Sequence, residues 1–451
     1  MASAVFPRRI GRAIHPARSV VAGFAAAITA GTVLLSAPIA TESRSSAPLV
    51  DALFTATSAI CVTGLSTVDT PVYWSAFGEV VIMLLIQTGG LGIMTVAAVL
   101  MLTLTRRIGF RTRQVAQAES KTLNASELRR VIRNVVLFSL AAEIVFACVL
   151  WLRFVIGYQR SVGAAAYDAI FHSVSAFNNA GFSLNSDSLM GYVTDPYINL
   201  TMMVAIVLGG LGFPVVFELI RRWRTPRTWT VRTRITIWTT VPLIVIGTLL
   251  VLIVEWSNPG TMGPLSVSEK VLASLFQSVT SRTAGFNSLD TGELDPQSLL
   301  VTDILMFIGG GSAGTAGGIK VTTAGLLIIV IWTELRGEPD VNVGNRRIAN
   351  STQRQAIAIT LLGLGLVAVT SMVLLLLLPF GTSAVLFEAV SAFGTVGLST
   401  GITADLGTSG KLVITMLMFV GRLGPLTLGA ALASRERARR YELPEERPIV
   451  G

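Results

Sequence analysis

Charge is scarce in this chain. Asp, Glu, Lys and Arg make up 14% of its 451 residues and 52% are hydrophobic, with a mean hydropathy of +0.67. Soluble domains carry about 25% charged residues, so an ordinary soluble protein is excluded and a polytopic membrane protein is expected. Cysteine and histidine are also scarce, at two each. Cys61 and Cys148 sit in apolar runs, which argues against a disulfide framework, and two histidines argue against a His-built metal site. There is no His-Glu-x-x-His motif and no paired Asp within an apolar run, so no enzyme is expected. The basic excess, 35 Lys and Arg against 26 Asp and Glu, is confined to connections between apolar runs. That placement argues against nucleic acid as a partner.

Eight apolar runs are long enough to cross a hydrocarbon core of roughly 30 Å. They lie near 19–40, 76–105, 132–157, 197–221, 235–256, 299–333, 355–380 and 411–434. A leader (1–18) carries Arg8, Arg9, Arg12 and Arg18. The connections carry Arg106, Arg107, Arg111, Arg113, Lys121, then Arg221 to Arg234, then Arg336 to Arg354. The tail (435–451) carries Arg435, Arg437, Arg439 and Arg440. By the positive-inside rule these segments, and both termini, are cytoplasmic in a cell (plasma) membrane. Arg8-Arg9 followed by an apolar run and Ala37-Pro-Ile-Ala40 also fits a cleaved signal peptide. A retained span is preferred, because cleavage would remove the opening helix of the first repeat.

What is present in quantity is repetition. One pattern occurs four times: a Phe, about ten apolar or small residues, then Gly followed by Leu or Phe. The copies run Phe54 to Gly64, Phe171 to Gly181, Phe276 to Gly285 and Phe387 to Gly397, and their glycines lie 117, 104 and 112 residues apart. Each copy falls between an odd and an even span and is too short and polar to cross. The predicted organisation is span, re-entrant segment, span, in repeats at 19–105, 132–221, 235–333 and 355–434. The fold class is an all-α polytopic membrane protein with four units around one pore. Half-helices aiming C-terminal ends at an axis suit a cation, and glycine lets successive carbonyls turn inward. The candidate filter positions are Val62, Thr63 and Gly64; Asn179, Ala180 and Gly181; Thr283, Ala284 and Gly285; Thr395, Val396 and Gly397. One copy alone would be explained by helix packing; four matched copies favour a pore. The third copy is one residue shorter and carries Arg282, which is expected to pair with an acid such as Glu388 or to be solvated at the rim.

The sixth run is interrupted by Gly309, Gly310, Gly311, Ser312, Ala313, Gly314, Thr315, Ala316, Gly317 and Gly318, followed by Lys320. At about 1 kcal/mol per glycine relative to alanine, this is not an ordinary helix. An unwound hinge is expected, with close helix packing as the alternative; the Walker spacing for phosphate is absent. Arg422, in the last run, faces the pore or a partner, because a charge in lipid costs several kcal/mol. The alternative is a snorkelling Arg. Glu79, Glu143, Glu218 and Glu255 are read as pairing residues, and His172 as a polar residue at the opening of the second half-helix. The Gly-Gly-Leu-Gly runs at 89–92 and 209–212 mark close packing or a bend.

Thr63-Gly64-Leu65, Asn178-Asn179-Ala180-Gly181-Phe182, Arg282-Thr-Ala-Gly285-Phe-Asn287 and Gly394-Thr-Val-Gly397-Leu-Ser399 resemble the ion-translocating subunit of the Ktr/Trk/HKT potassium transporter superfamily. The length and eight runs look most like a Ktr-type bacterial membrane subunit. The resemblance implies that the four glycines select potassium and that 309–318 is a gating loop below the filter, with Arg422 beside it. It also implies a homodimer and a cytoplasmic RCK-type regulatory ring that binds ATP or ADP, and in some systems cyclic di-AMP; nucleotide sits on that partner, not on this chain. Potassium is then the transported ion and sodium an activator. Membrane lipid is the surrounding partner. The alternative is a sodium- or proton-coupled carrier of another small solute, which would place discontinuous helices in two halves rather than four.

Overall fold

A computed structural model describes residues 16–112 and 125–434. The arginines at 8, 9 and 12, Arg113, Lys121 and the tail basic residues lie outside the described residues. The fold is helical and repeats one unit four times: an outer helix, a short pore helix, an extended segment and an inner helix. The outer helices are Pro16–Ser36, Ala125–Tyr158, Val231–Glu255 and Asn350–Leu377. The pore helices are Leu49–Ile60, Val162–Phe177, Val267–Thr280 and Thr382–Gly394. Ile156, Leu361, Val369 and Leu376 on the outer helices are exposed, as expected of side chains that meet lipid rather than water.

The inner segments differ from one another: besides the sixth run, expected to be interrupted, the fourth is broken as well. Among the described residues four helices are long and apolar enough to cross a membrane, or five with the bent pair below as one span: Ala76–Val96, Arg129–Tyr158, Val231–Glu255 and Asn350–Leu377. The second inner helix breaks into Pro196–Leu211 and Phe213–Arg222, bent by 104°. The third is split into Pro296–Phe307 and Val321–Leu335, as the glycine run predicts. The first outer helix, Pro16–Ser36, is 21 residues long and integral to the first repeat: Phe24, Ile28 and Leu35 are buried in one cluster with Ala52, Ala56 and Ile82. The fourth inner helix is Gly407–Ser434.

Local chemistry starts the pore helices where they start. Ser266 and Glu269 form a capping box at the third, and Ser161 Oγ accepts from Ala164 N–H at the second, which satisfies donors that a helix start leaves free. The Phe of each copy lies inside its pore helix, and Phe54, Phe171, Phe276 and Phe387 are all fully buried. Three of the four also pack into a neighbouring repeat's cluster, and Phe387 shares its cluster with Met306 and Ile319 of repeat 3. Phe171 and Phe182 pack into the first repeat's cluster. Phe276 and Phe286 pack into the second's, and Phe54 and Leu65 into the fourth's. The ring of repeats is thereby closed.

Candidate functional site: a four-part carbonyl ring

Each pore helix ends just before its glycine, so four C-terminal ends, each carrying roughly half a negative charge, converge on the glycine segments. Gly64, Gly181, Gly285 and Gly397 have φ of +94°, +73°, +75° and +101°. Two residues earlier, Val62, Asn179, Thr283 and Thr395 also take positive φ, at 56°, 60°, 76° and 50°. Three of these are β-branched, for which the left-handed region is a true outlier. Strain of this kind persists only where the surroundings enforce it. Alternating backbone hand turns successive carbonyls to the same side, unlike a strand, where they alternate.

The glycines are packed head to tail. A Cβ on Gly64 would collide with Ala180 O, one on Gly181 would lie 2.7 Å from Ala284 O, one on Gly285 would collide with Val396 O, and one on Gly397 with Thr63 O. The sequence of contacts returns to its start, so four carbonyls and four glycines form a closed ring. Above it opens a cavity of about 440 Å³ with all four glycines in its lining, together with Ser66, Asp69, Ser183, Asn287 and Thr403.

The sequence reading missed what holds the ring. Four residues after each Phe stands a hydroxyl: Ser58, Ser175, Thr280 and Ser391. Ser58 Oγ accepts from Gly64 N–H at 3.0 Å and Ser391 Oγ from Gly397 N–H at 3.1 Å. Ser175 Oγ donates to Phe182 O at 2.7 Å and Thr280 Oγ1 to Phe286 O at 2.8 Å. The repetition of a hydroxyl at one register was the available signal. A second support is Asn178, whose Nδ2 donates to Gln87 Oε1 at 2.9 Å and to Glu143 Oε1 at 3.1 Å.

The glycine-rich segment lies against this ring. Thr315 Oγ1 donates to Asn179 Oδ1 at 2.9 Å. A Cβ on Gly317 would collide with Thr395 Oγ1, and one on Gly309 would lie 3.2 Å from Thr283 Cγ2. The loop is anchored by backbone bonds. Gly309 N–H donates to Ile319 O at 2.9 Å and Val321 N–H to Gly310 O at 3.0 Å. Gly311 N–H reaches Gly210 O at 2.7 Å and Thr315 N–H reaches Gly209 O at 3.1 Å. Those last carbonyls belong to the broken end of Pro196–Leu211, where carbonyls have no partner within the helix. Ala313 and Gly318 take φ of +67° and +58°, and Gly314 fits against Gly210 O. Gly310 to Gly314 spells the Gly-x-Ser-x-Gly of a nucleophile elbow, but Ser312 Oγ meets Thr322 Oγ1 at 2.8 Å and no histidine.

Two cations grip the loop: Arg422 donates through Nη1 to Thr315 O, and Lys320 through Nζ to Ala316 O. Arg422 is 4% exposed, its Nε and Nη2 have no hydrogen-bond partner, and no ion pair to it is present among the described residues. Among the described residues it therefore neither snorkels nor forms an ion pair.

Other expectations divide. Arg282 does not pair with Glu388. Its Nη1 donates to Thr240 O at 3.1 Å, while Glu388 accepts from Ser399 Oγ at 2.8 Å and Thr403 Oγ1 at 2.5 Å. Arg282 is also buried rather than solvated at a rim. His172 does not open its helix; it lies near the C-terminal end, bonded to Asp168 O at 2.8 Å and Ser183 Oγ at 3.0 Å. Glu79, Glu218 and Glu255 each have side-chain partners, Tyr167, Thr233 and Thr261 respectively. Of the two Gly-Gly-Leu-Gly runs, 89–92 stays helical with Gly89 against Ile60 O, whereas 209–212 breaks at Gly212.

The TrkH family model, described as cation transport protein, matches residues 15–436. Ktr system potassium uptake protein B of Bacillus subtilis (strain 168) is 41% identical over 423 residues, covering 94% of each chain. The protein of the same name from Vibrio alginolyticus is 39% identical over 438 residues, covering 96% of this chain and 94% of that one. The crystal structure of the potassium transporter TrkH from Vibrio parahaemolyticus aligns with a TM-score of 0.69 at 21% identity, over 94% of this chain and 86% of that one, a likeness of fold. The chain belongs to the TrkH family of cation transport proteins.

Proposed function

We propose that this chain takes up potassium across the cell membrane as the pore-forming subunit of a Ktr-type system. The observation that carries the reading is the closed ring of four glycines and four carbonyls at the ends of four half-helices. Such a ring replaces the hydration shell of a monovalent cation. The names of the relatives, potassium uptake proteins of a Ktr system, support the ion and a second component. In this reading the ring is the filter and 309–318, held by Arg422 and Lys320, is the gate beneath it. Arg422 lowers cation occupancy while the loop is seated. The basic connections and both termini face the cytoplasm, where an RCK-type ring with bound ATP or ADP releases the loop; sodium stimulates, and the chain works as a homodimer.

The test is growth at limiting potassium of a bacterium lacking its own uptake systems, expressing this chain with a matching RCK subunit. Rescue, with uptake of rubidium competed by potassium and not by sodium, is expected. Failure to rescue at normal membrane abundance, or uptake of another solute in its place, would move the carrier reading to the front.

A further inference from the structure

Above the carbonyl ring stands a second set of polar side chains at one register. Two residues beyond each ring glycine come Ser66, Ser183, Asn287 and Ser399, and all four line the cavity of about 440 Å³. The three serines share a bonding pattern: each gives its proton to an acceptor of the protein. Ser66 Oγ donates to Val68 O at 2.5 Å. Ser399 Oγ donates to Glu388 Oε2 at 2.8 Å. Ser183 Oγ lies 3.0 Å from His172 Nε2. On the other side of that imidazole, Nδ1 faces Asp168 O at 2.8 Å. A carbonyl only accepts, so Nδ1 carries the hydrogen, and Nε2 of the neutral ring takes the Ser183 proton. The other acceptor near Ser183, Ser188 O, is served by Asn185 Nδ2 at 3.1 Å.

With the protons engaged, lone pairs remain. Asn185 N–H uses one on Ser183 Oγ and Gly401 N–H one on Ser399 Oγ, both at 3.0 Å. Thr403 Oγ1 lies 2.8 Å from Ser399 Oγ, but its single proton goes to the Glu388 carboxylate at 2.5 Å, the stronger acceptor. Each of these two serines therefore keeps one free lone pair. His172 and Glu388 also share a register, directly after the Phe of their copies in alternate repeats. They are 1% and 0% exposed. Asp69 adds a carboxylate to the cavity lining, and no lysine or arginine lines it among the described residues. A cation that keeps its water turns O–H donors outward, and a lining of acceptors meets them. One carboxylate suits a monovalent ion, since calcium sites draw on several oxygen ligands at once.

We propose that Ser66, Ser183, Asn287 and Ser399 form a site for a hydrated monovalent cation above the ring, and that His172 and Glu388 are positioning residues that hold Ser183 and Ser399 as acceptors. The inference rests on the uptake reading, in which this cavity is the entrance to the filter.

The first test is rubidium uptake by the full chain with its RCK subunit in the potassium-uptake-deficient strain, read as KM and maximal rate at matched membrane abundance. Ser183→Ala and Ser399→Ala should each raise KM about fivefold, the worth of one hydrogen bond, and together about 25-fold. The change should fall on KM rather than on the maximal rate. Glu388→Gln, which turns one of two acceptors into a donor, should match Ser399→Ala. His172→Phe should match Ser183→Ala and add nothing to it in the double variant. The second test does not depend on transport. In a His15→Gln background His172 is the one histidine. Its nitrogen NMR signals in nanodiscs should show hydrogen on Nδ1 and none on Nε2, and the Nε2 signal should move on Ser183→Ala and when rubidium replaces N-methylglucamine.

A KM within about twofold of wild type in both serine variants, a fall in maximal rate with KM unchanged, or hydrogen on Nε2 would overturn the proposal. If the wild type takes up no rubidium, the uptake reading fails by itself and the histidine signal decides: indifference to Ser183→Ala or to rubidium overturns the site. If His172→Phe or Glu388→Gln does not fold, the serine variants decide.

Discussion

Replacing Gly285 by serine tests the carbonyl ring at one atom. The residue holds φ at +75°, and an L-residue there costs roughly 1–2 kcal/mol. Its Cβ would collide with Val396 O and lie 3.0 Å from Gly397 Cα. Relief has two routes. Either the Val396 carbonyl retreats by roughly 1 Å, since a packed interior leaves no slack, or residue 285 rotates and takes its own carbonyl off the axis. Both routes remove one carbonyl from the ring. A polar contact to a full charge is worth about 1.5–3 kcal/mol, which corresponds to a roughly tenfold to 150-fold loss of apparent potassium affinity. Discrimination against sodium should fall with it. The assay is rubidium and sodium uptake in the potassium-uptake-deficient strain with the RCK subunit, at matched membrane abundance. Gly365→Ala is the control, because nothing lies within 4 Å of a Cβ built there. If Gly285→Ser keeps affinity and selectivity within about threefold of wild type, the ring is a packing device and the filter assignment is wrong.

Arg422→Gln removes an uncompensated charge and a bond to Thr315 O. At an effective dielectric of about 20, one charge roughly 8 Å from an ion repels it by about 2 kcal/mol, so partner-free rubidium uptake into liposomes should rise about tenfold or more; unchanged uptake would refute the gating role. Ser58→Ala and Ser391→Ala each delete an acceptor for a ring N–H; at about 1 kcal/mol, apparent affinity should weaken about fivefold, and wild-type affinity in both would show that the hydroxyls only cap helices. Gly212→Ala puts a Cβ 2.5 Å from Ser312 O at a φ of +87°, so the loop should seat poorly and leak without the partner, read by the same liposome uptake. Lys411→Met breaks the ion pair to Asp51 at 2.7 Å; thermal stability should drop by about 1 kcal/mol while potassium affinity stays constant.

Much of this was legible because repetition survives folding. Four Phe-to-Gly copies at one spacing pointed to four equivalent half-helices, and the glycine run at 309–318 to a helix that could not continue. Geometry between repeats was not legible. The two Gly-Gly-Leu-Gly runs read alike, yet only 209–212 breaks. The difference is Pro214, which follows Gly212 within two residues and cannot continue the hydrogen-bonded ladder, whereas Ile93 and Met94 follow the first run. Arg282 was given a partner by charge alone. In the fold its own outer helix is nearer, and Thr240 takes it. The β-branched residues at positive φ carried no sequence mark, since strain is imposed by neighbours far along the chain.

The departures from fourfold symmetry explain one another. In three repeats the inner helix presents a glycine to the last carbonyls of its own pore helix: Gly89 to Ile60 O, Gly209 to Phe177 O and Gly421 to Phe393 O. Such packing needs a helix that continues past the end of the pore helix. In repeat 3 no helix continues there, and Gly309 meets Gly317 O of its own loop instead. The loop then needs partners for its N–H groups, because unpaired donors at membrane depth cost several kcal/mol each. The broken helix of repeat 2 supplies them, since Gly212 ends it and frees Gly209 O and Gly210 O. One break therefore satisfies the other. Lifting the loop must surrender those two bonds and the Arg422 contact, each worth about 0.5–3 kcal/mol net. If the loop gates as proposed, the sum, a few kcal/mol, would keep a lone chain closed and would be small enough for a partner's differential binding to reverse.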